Sequence, residues 1–220
     1  MTLLTTTRCH SVRSPEIRIQ FAENILRGDA VVFLRGLEET VLGGSRYRGG
    51  ESLQVGWQMT RFCELAPDLL GLCAPDMKSF PIHYHEDITL VLAHLRLQKD
   101  VADSFGFEAA FPSMFEAAVT CNRLGRSNSL VMERLHPEGA ASGWIILCQE
   151  ADHDHEDEIN LIRESLYAVA LKVPDVVEYL ALPPEIYLDL RDTGPSGFFF
   201  RGKKIQPTSA SYLGVREPRK

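Results

Sequence analysis

The sequence predicts an α+β fold of mixed helices and short antiparallel strands. Three observations carry that expectation. Helical and strand-like patterns are interspersed, without the regular alternation that a doubly wound parallel sheet requires. Of the 220 residues, 45% are hydrophobic and 24% charged, the balance of a globular chain long enough to bury a core. Two segments also echo each other: VFLRGLEE…VGWQMTRFCE in the first half and LVMERLHPEG…SGWIILCQE in the second. The echo has two readings. It is a distant duplication giving two related half-domains, or a coincidence of common strand composition.

The elements follow in order. SPEIRIQFAENILRG predicts a helix, with Ser14 as its cap, Pro15 in the first turn, and Ile17, Phe21 and Ile25 on one face. Gly28 closes it, and Ala30 to Leu34 form a short buried strand. LGGSRYRGGES is a loop, and SLQVGWQM a second strand. TRFCELAPDLLGLC reads as two short helical pieces or one kinked helix around Pro67, and KSFPIHYHED as an extended connection. The longest helix is EDITLVLAHLRLQKDVADSFG, with an apolar stripe of Ile88, Val91, Leu92 and Leu95 and a stop at Gly106. A further helix is expected from Pro112 to Thr120, using Met114, Phe115 and Val119.

In the second half, SLVMERL and GWIILCQE read as strands. EDEINLIRESLYAVALKV reads as an amphipathic helix through Ile159, Ile162, Leu166 and Val169. Pro174 starts a short helix, and EIYLDLRD and FFFRGKKI make a hairpin or a paired edge. The expected organisation is an N-terminal half over residues 1–125, a C-terminal half over 126–206 and a loose polar tail over 207–220.

The net charge of −7 disfavours direct binding of nucleic acid or an anionic membrane, both of which are polyanions. No run approaches the ~18 apolar residues of a membrane span. MTLLTTTRCHSVRSPE lacks the cationic and apolar regions of a signal peptide, so a cytoplasmic protein is expected. Cys9, Cys63, Cys73, Cys121 and Cys148 are odd in number and form no CxxC pair. They read as reduced, mostly buried thiols, and Cys148, inside an apolar run, as inert core.

Candidate chemistry concentrates in two places. The first is ADHDHEDE, with Asp152, His153, Asp154, His155, Glu156, Asp157 and Glu158. On an extended segment His153 and His155 share one side, and Asp152, Asp154 and Glu156 the other. Asp157 can cap the following helix, with Glu158 in its first turn. That leaves an excess of mutually repelling acid, which suits either a solvated face or a surface that meets cations on a partner. The second place is PIHYHED, where His83 and His85 lie on one side of the chain with His94 on the next helix. Either cluster offers the imidazoles and carboxylates of a metal-dependent hydrolase with a glutamate as general base. The calcium-loop pattern lacks its central glycine. GxSxG, GxxxxGK[ST] and GxGxxG are absent from the sequence, so nucleophilic and nucleotide chemistry have no support. Trp57 and Trp144 read as core anchors.

Residues 127–190 carry a further pattern. Glu133-Arg134 closes one strand and Ser142-Gly143-Trp144 opens the next. DHDHED follows at 152–157, then Ser165-Leu166-Tyr167 and Leu180-Ala181-Leu182-Pro183. In order and spacing this resembles a family of small bacterial immunity domains associated with polymorphic toxins. The family usually has aspartate before Ser-Gly-Trp, where this chain has Ala141. The resemblance implies a cytoplasmic, non-enzymatic protein without a cofactor. It would bind one cognate toxin, an antibacterial effector delivered by a secretion system such as type VI, and block it stoichiometrically. A nuclease toxin has a basic cleft, and Asp152, Asp154, Glu156, Asp157 and Glu158 are the candidate residues to face it. The motif residues themselves look fold-defining rather than catalytic. The oligomeric state stays open.

Overall fold

A computed structural model describes residues 1–22, 26–126, 129–191 and 194–216, the side chains of 194–196 excepted. The fold is α+β, and its contacts cluster into two units, Met1–Arg96 and Leu97–Lys220. The sequence reading divides the chain at 125/126. The contacts move the division forward because the segment that follows residue 96 supplies a strand to the second sheet.

The first unit contains β1 (Thr2–Thr5), β2 (Glu16–Phe21), α1 (Arg27–Leu42), β3 (Ser52–Val55), β4 (Gln58–Ala66), β5 (Leu69–Pro75), β6 (Tyr84–His85) and the start of α2 (Thr89–Asp103). Its sheet runs β1-β2-β5-β4-β3, with β6 paired to β5. The contact between β2 and β5 is parallel, and the other pairings are antiparallel. The core gathers Ile17, Ile19 and Phe21 from β2, Leu34, Leu37 and Val41 from α1, Phe62 from β4, Leu72 from β5, and Ile88, Val91 and Leu92 around the start of α2.

Here the sequence reading exchanges two elements. The expected first helix is strand β2, and the expected strand Ala30–Leu34 lies inside α1. Ile17 and Phe21 fit a four-residue and a two-residue period equally. Ile19, also buried, fits only the second. In α1 the buried residues are Ala30, Leu34, Leu37 and Val41, a helical spacing that a five-residue window cannot show. Ile25 lies outside the described residues. Gly28 stands in the first turn of α1 rather than closing a helix. The helices expected around Pro67 are instead the hairpin β4–β5, where Pro67 and Asp68 form the turn. The longest expected helix is present as α2.

The second unit contains β7 (Ala117–Cys121), β8 (Leu130–Arg134), β9 (Ala141–Cys148), β10 (Leu161–Ser165), α3 (Leu166–Lys172), β11 (Ile186–Arg191), β12 (Gly194–Phe200) and β13 (Lys203–Ile205). The sheet order is β10-β7-β9-β8-β11-β12-β13. β7 and β9 are parallel, and the remaining pairs antiparallel. β9 alternates strictly, with Ser142, Trp144, Ile146 and Cys148 buried.

Two expected helices change here. Residues 112–120 end in β7, and residues 156–173 split into a 3-10 turn at Glu158–Asn160, strand β10 and the short helix α3. The reason is visible at Ile159 and Ile162, which a buried helical stripe required but which are exposed. Ser165 interrupts the run by capping α3, accepting the N–H of Ala168 at 3.2 Å. The echo segments differ as well: VFLRGLEE is helix and LVMERL is strand, so common composition is the reading that stands. The described part of the tail is tied down. Thr208 N–H donates to the Ser104 carbonyl at 2.8 Å, and Leu213 N–H to its hydroxyl at 3.2 Å. Among the described residues no helix is long and apolar enough to cross a membrane.

Candidate functional site

Three of the motif pieces meet at Arg134, which is 3% exposed at the end of β8. Its guanidinium donates to the carbonyls of Ala110 (2.7 Å), Leu180 (3.3 Å), Leu182 and Ser142 (3.3 Å). It lies 5.6 Å from the centre of the Trp144 ring, whose Nε1–H donates to the same Leu180 carbonyl at 3.0 Å. Arg134, Ser142, Trp144 and the Leu180–Leu182 turn therefore form one knot. Burial pulls the guanidinium down to about 10, which leaves it a cation at neutral pH. Gly143 is required where it stands. Its φ is +81°, and a Cβ would come 2.2 Å from the Leu135 carbonyl oxygen. Leu166 and Tyr167 are buried beside the Ser165 cap, and Glu133 is exposed.

The acidic corner follows β9. Arg123 bridges Glu150 at 2.8 Å and Asp152 at 2.9 Å. Asp154 accepts the N–H of Glu156 at 2.8 Å, and Asp157 that of Ile159 at 3.1 Å. Asn160 donates to the Asp154 carbonyl at 2.8 Å, and Asn122 pairs with Asn160 through both backbone and side chain. These bonds close the segment on itself. All five carboxylates from Asp152 to Glu158 remain exposed, and Ile159 beside them is 81% exposed. Asp157 caps only a single 3-10 turn, so the dipole of a long helix is not what gathers the charge here.

Beneath the corner lies a cluster that the sequence reading assembled only in part. His153 and His155 stand with ring centres 4.6 Å apart, nearly perpendicular. Cys148 Sγ is 3.5 Å from His155 Nε2, and the Cys148 N–H points at Cys121 Sγ at 3.4 Å. One sulfur or ring nitrogen from each of Cys121, Cys148, His153 and His155 lies within 4.8 Å of all the others. Burial raises the Cys148 thiol, and Cys121 beside it adds to the rise against a backbone hydrogen bond that lowers it. Burial, and then His153, lower His155 against Asp154, which raises it. His153 is 8% exposed, and among the described residues its Nε2 has no hydrogen-bond partner. Such an orphan costs about 1–3 kcal/mol.

His83 and His85 are not joined to this or to any other metal-ligand group among the described residues. His94 belongs elsewhere again: its Nδ1 accepts the Trp57 Nε1–H at 3.3 Å. Cys121 and Cys148 are the functional candidates that sequence reasoning missed. The spacing Cys148-x4-His153-x-His155 was a readable signal. Cys121 was not, because only the parallel pairing of β7 with β9 brings it near.

An α+β unit with a buried arginine knot and an acidic, part-apolar corner is thus the class of object to be placed. Residues 97–194 match the family model described as the Imm33-like domain, which supports an immunity-protein family in general. No curated protein and no solved structure matches the chain. The matched stretch contains the arginine knot, the acidic corner and the four-residue cluster.

Proposed function

We propose that the chain is a cytoplasmic immunity protein of the Ser-Gly-Trp type, which binds one cognate toxin and neutralises it by stoichiometric occlusion, transforming nothing itself. The likeness of residues 97–194 to the Imm33-like domain carries the reading. The corner supplies a physical means. Asp152, Asp154, Glu156, Asp157 and Glu158 steer a basic cleft, such as that of a nuclease effector delivered by type VI secretion, and raise the association rate. Ile159, and the groove lined by Val119, Leu135, Ile145 and Arg163, supply apolar area that slows dissociation.

The reading expects a toxin domain to be encoded beside the gene, and that domain is the reagent for the test. Charge reversal at Asp152, Asp154 and Glu156 together should slow association at low salt by about 10- to 100-fold, with a smaller change in dissociation. An unchanged association rate removes these residues from the interface. Failure of the wild-type chain to bind that toxin ends the reading.

A further inference from the structure

The geometry points to a structural metal site in the second unit: Cys121, Cys148, His153 and His155 together hold one zinc-class divalent ion, which pins the acidic corner to the ends of β7 and β9. Four facts converge on it. The four donor atoms already lie within 4.8 Å of one another. A tetrahedral zinc ion with two sulfurs and two nitrogens sets its ligands roughly 3.3–3.8 Å apart; Cys148 Sγ and His155 Nε2, 3.5 Å apart, already meet that spacing, and no other pair exceeds it by more than about 1.5 Å. The His153 Nε2 lone pair or N–H is buried among these groups and, among the described residues, meets no partner. Two thiolates and two imidazoles are the donor set that selects zinc over magnesium or calcium.

The charge balances as well. Binding a divalent cation displaces one proton from each thiol to solvent, and two thiolates cancel the charge of the ion. A neutral centre can then sit beneath Asp152 and Asp154 without a buried net charge. All four positions around the ion come from the protein, which is the closed arrangement of a structural site and leaves no position for an activated water. The ligands arrive from two strands and from the segment that carries the acids. The ion would therefore fix the corner's shape, while the Arg123 bridges to Glu150 and Asp152 clamp its rim.

The test uses the full chain, purified under reducing conditions without chelator, and elemental analysis followed by Co2+ substitution. One zinc per chain is expected, with the visible bands of tetrahedral cobalt and a thiolate-to-cobalt band in the near ultraviolet. His155→Gln, at a half-buried position, should weaken Zn2+ binding by at least tenfold while the circular dichroism spectrum keeps its shape. Cys148→Ser should remove intensity from the thiolate band; should that buried variant fail to fold, His155→Gln decides alone. Glu156→Gln and Glu158→Gln should bind as wild type does. The inference is overturned if the reduced wild type shows no thiolate-to-cobalt band. It is equally overturned if His155→Gln binds Zn2+ undiminished, or if the two glutamate variants are the ones that lose it. None of these readouts involves a toxin, so this result and that of the occlusion test stand apart.

Discussion

Glu16 in the first unit and Arg134 in the second are both buried charged side chains, and they solve the problem in opposite ways. In the first, Glu16 is 7% exposed and is surrounded by donors. The Thr6 hydroxyl, the His10 N–H at 3.1 Å and the His10 ring at 2.8 Å all point at its carboxylate. In the second, Arg134 is surrounded by carbonyl oxygens from Ala110, Ser142, Leu180 and Leu182. The partners of Glu16 lie within ten residues of it, and those of Arg134 as far as 48 residues away. Glu16 therefore fixes a local turn between β1 and β2. Arg134 fixes the path of half the second unit, since its four carbonyls belong to three separate segments. The pieces Glu-Arg, Ser-Gly-Trp and Leu-Ala-Leu-Pro therefore define a packing arrangement rather than a reaction: Ser142, Trp144, Leu180 and Leu182 all meet the same guanidinium.

The largest effect that tests this contrast is Arg134→Ala. It strips several buried carbonyls of their donor at once, and each orphan costs about 1–3 kcal/mol. A loss of at least about 3 kcal/mol is expected, read by urea denaturation and by faster hydrogen exchange of the β8 and β9 amides. Arg134→Lys should recover only part of it, because an ammonium cannot reach carbonyls on several sides as a planar fork does. A loss no larger than that of the Glu16 variant would erase the distinction between a long-range and a local knot.

Glu16→Gln comes next, at about 1.5–3 kcal/mol, since hydrogen bonds to a charged acceptor are replaced by neutral ones. Burial pushes the Glu16 carboxyl up, but the bonds from Thr6, His10 and Cys9 outweigh it and hold the group at about 2, below its usual 4.5. A depressed carboxylate contributes fully above its unfolded value and loses that contribution as the pH falls towards its folded one. The stability gap between wild type and Glu16→Gln should therefore be constant above pH 4.5 and close between pH 4.5 and 2. A gap that persists at the acid end would mean that Glu16 acts by shape and not by charge.

The two units also differed in how far they could be read from sequence. In the second, β8, β9 and β11 were legible, because each is short, apolar and bounded by turn residues, whereas GPSG, read as turn, lies in β12, and FFFRGKKI turns at Arg201 and Gly202 from β12 into β13. In the first, β2 and α1 were exchanged. Ile17 and Phe21 satisfy two periods at once, and VVFL inside α1 is β-branched and apolar enough to pass for a strand. Tertiary burial decided both, and no local window contains it. The candidate site shows the same limit. His153 and His155 are neighbours in sequence and could be paired by alternation alone. Cys121 lies 27 positions from Cys148, and its place beside the histidines depends on a parallel pairing that no spacing announces. The long-range character of the second unit is what hid its most specific cluster.

The last effect, absent at neutral pH, sharpens the comparison through two histidines. His153 in the second unit is buried with an orphan nitrogen, whereas His94 in the first is satisfied: its Nδ1 accepts from Trp57 Nε1 at 3.3 Å. An accepting Nδ1 must carry no proton, so this bond exists only for the neutral ring. Burial lowers His94 to about 4 from 6.5, which keeps it neutral well below physiological pH. In the unfolded chain the ring takes up its proton near 6.5, so the unfolded state binds more protons through the interval between the two values. Stability therefore falls as the pH drops from 6.5 to 4, by about 1 kcal/mol per unit at the steepest point midway between the two values. His94→Gln offers a carbonyl to Trp57 and cannot titrate. Relative to that variant, the wild type should lose melting temperature on acidification over this window, with no difference in slope above pH 7. Parallel curves for the two proteins down to pH 4 would show that His94 is protonated in place and that its bond to Trp57 is not a fixed part of the first unit's core.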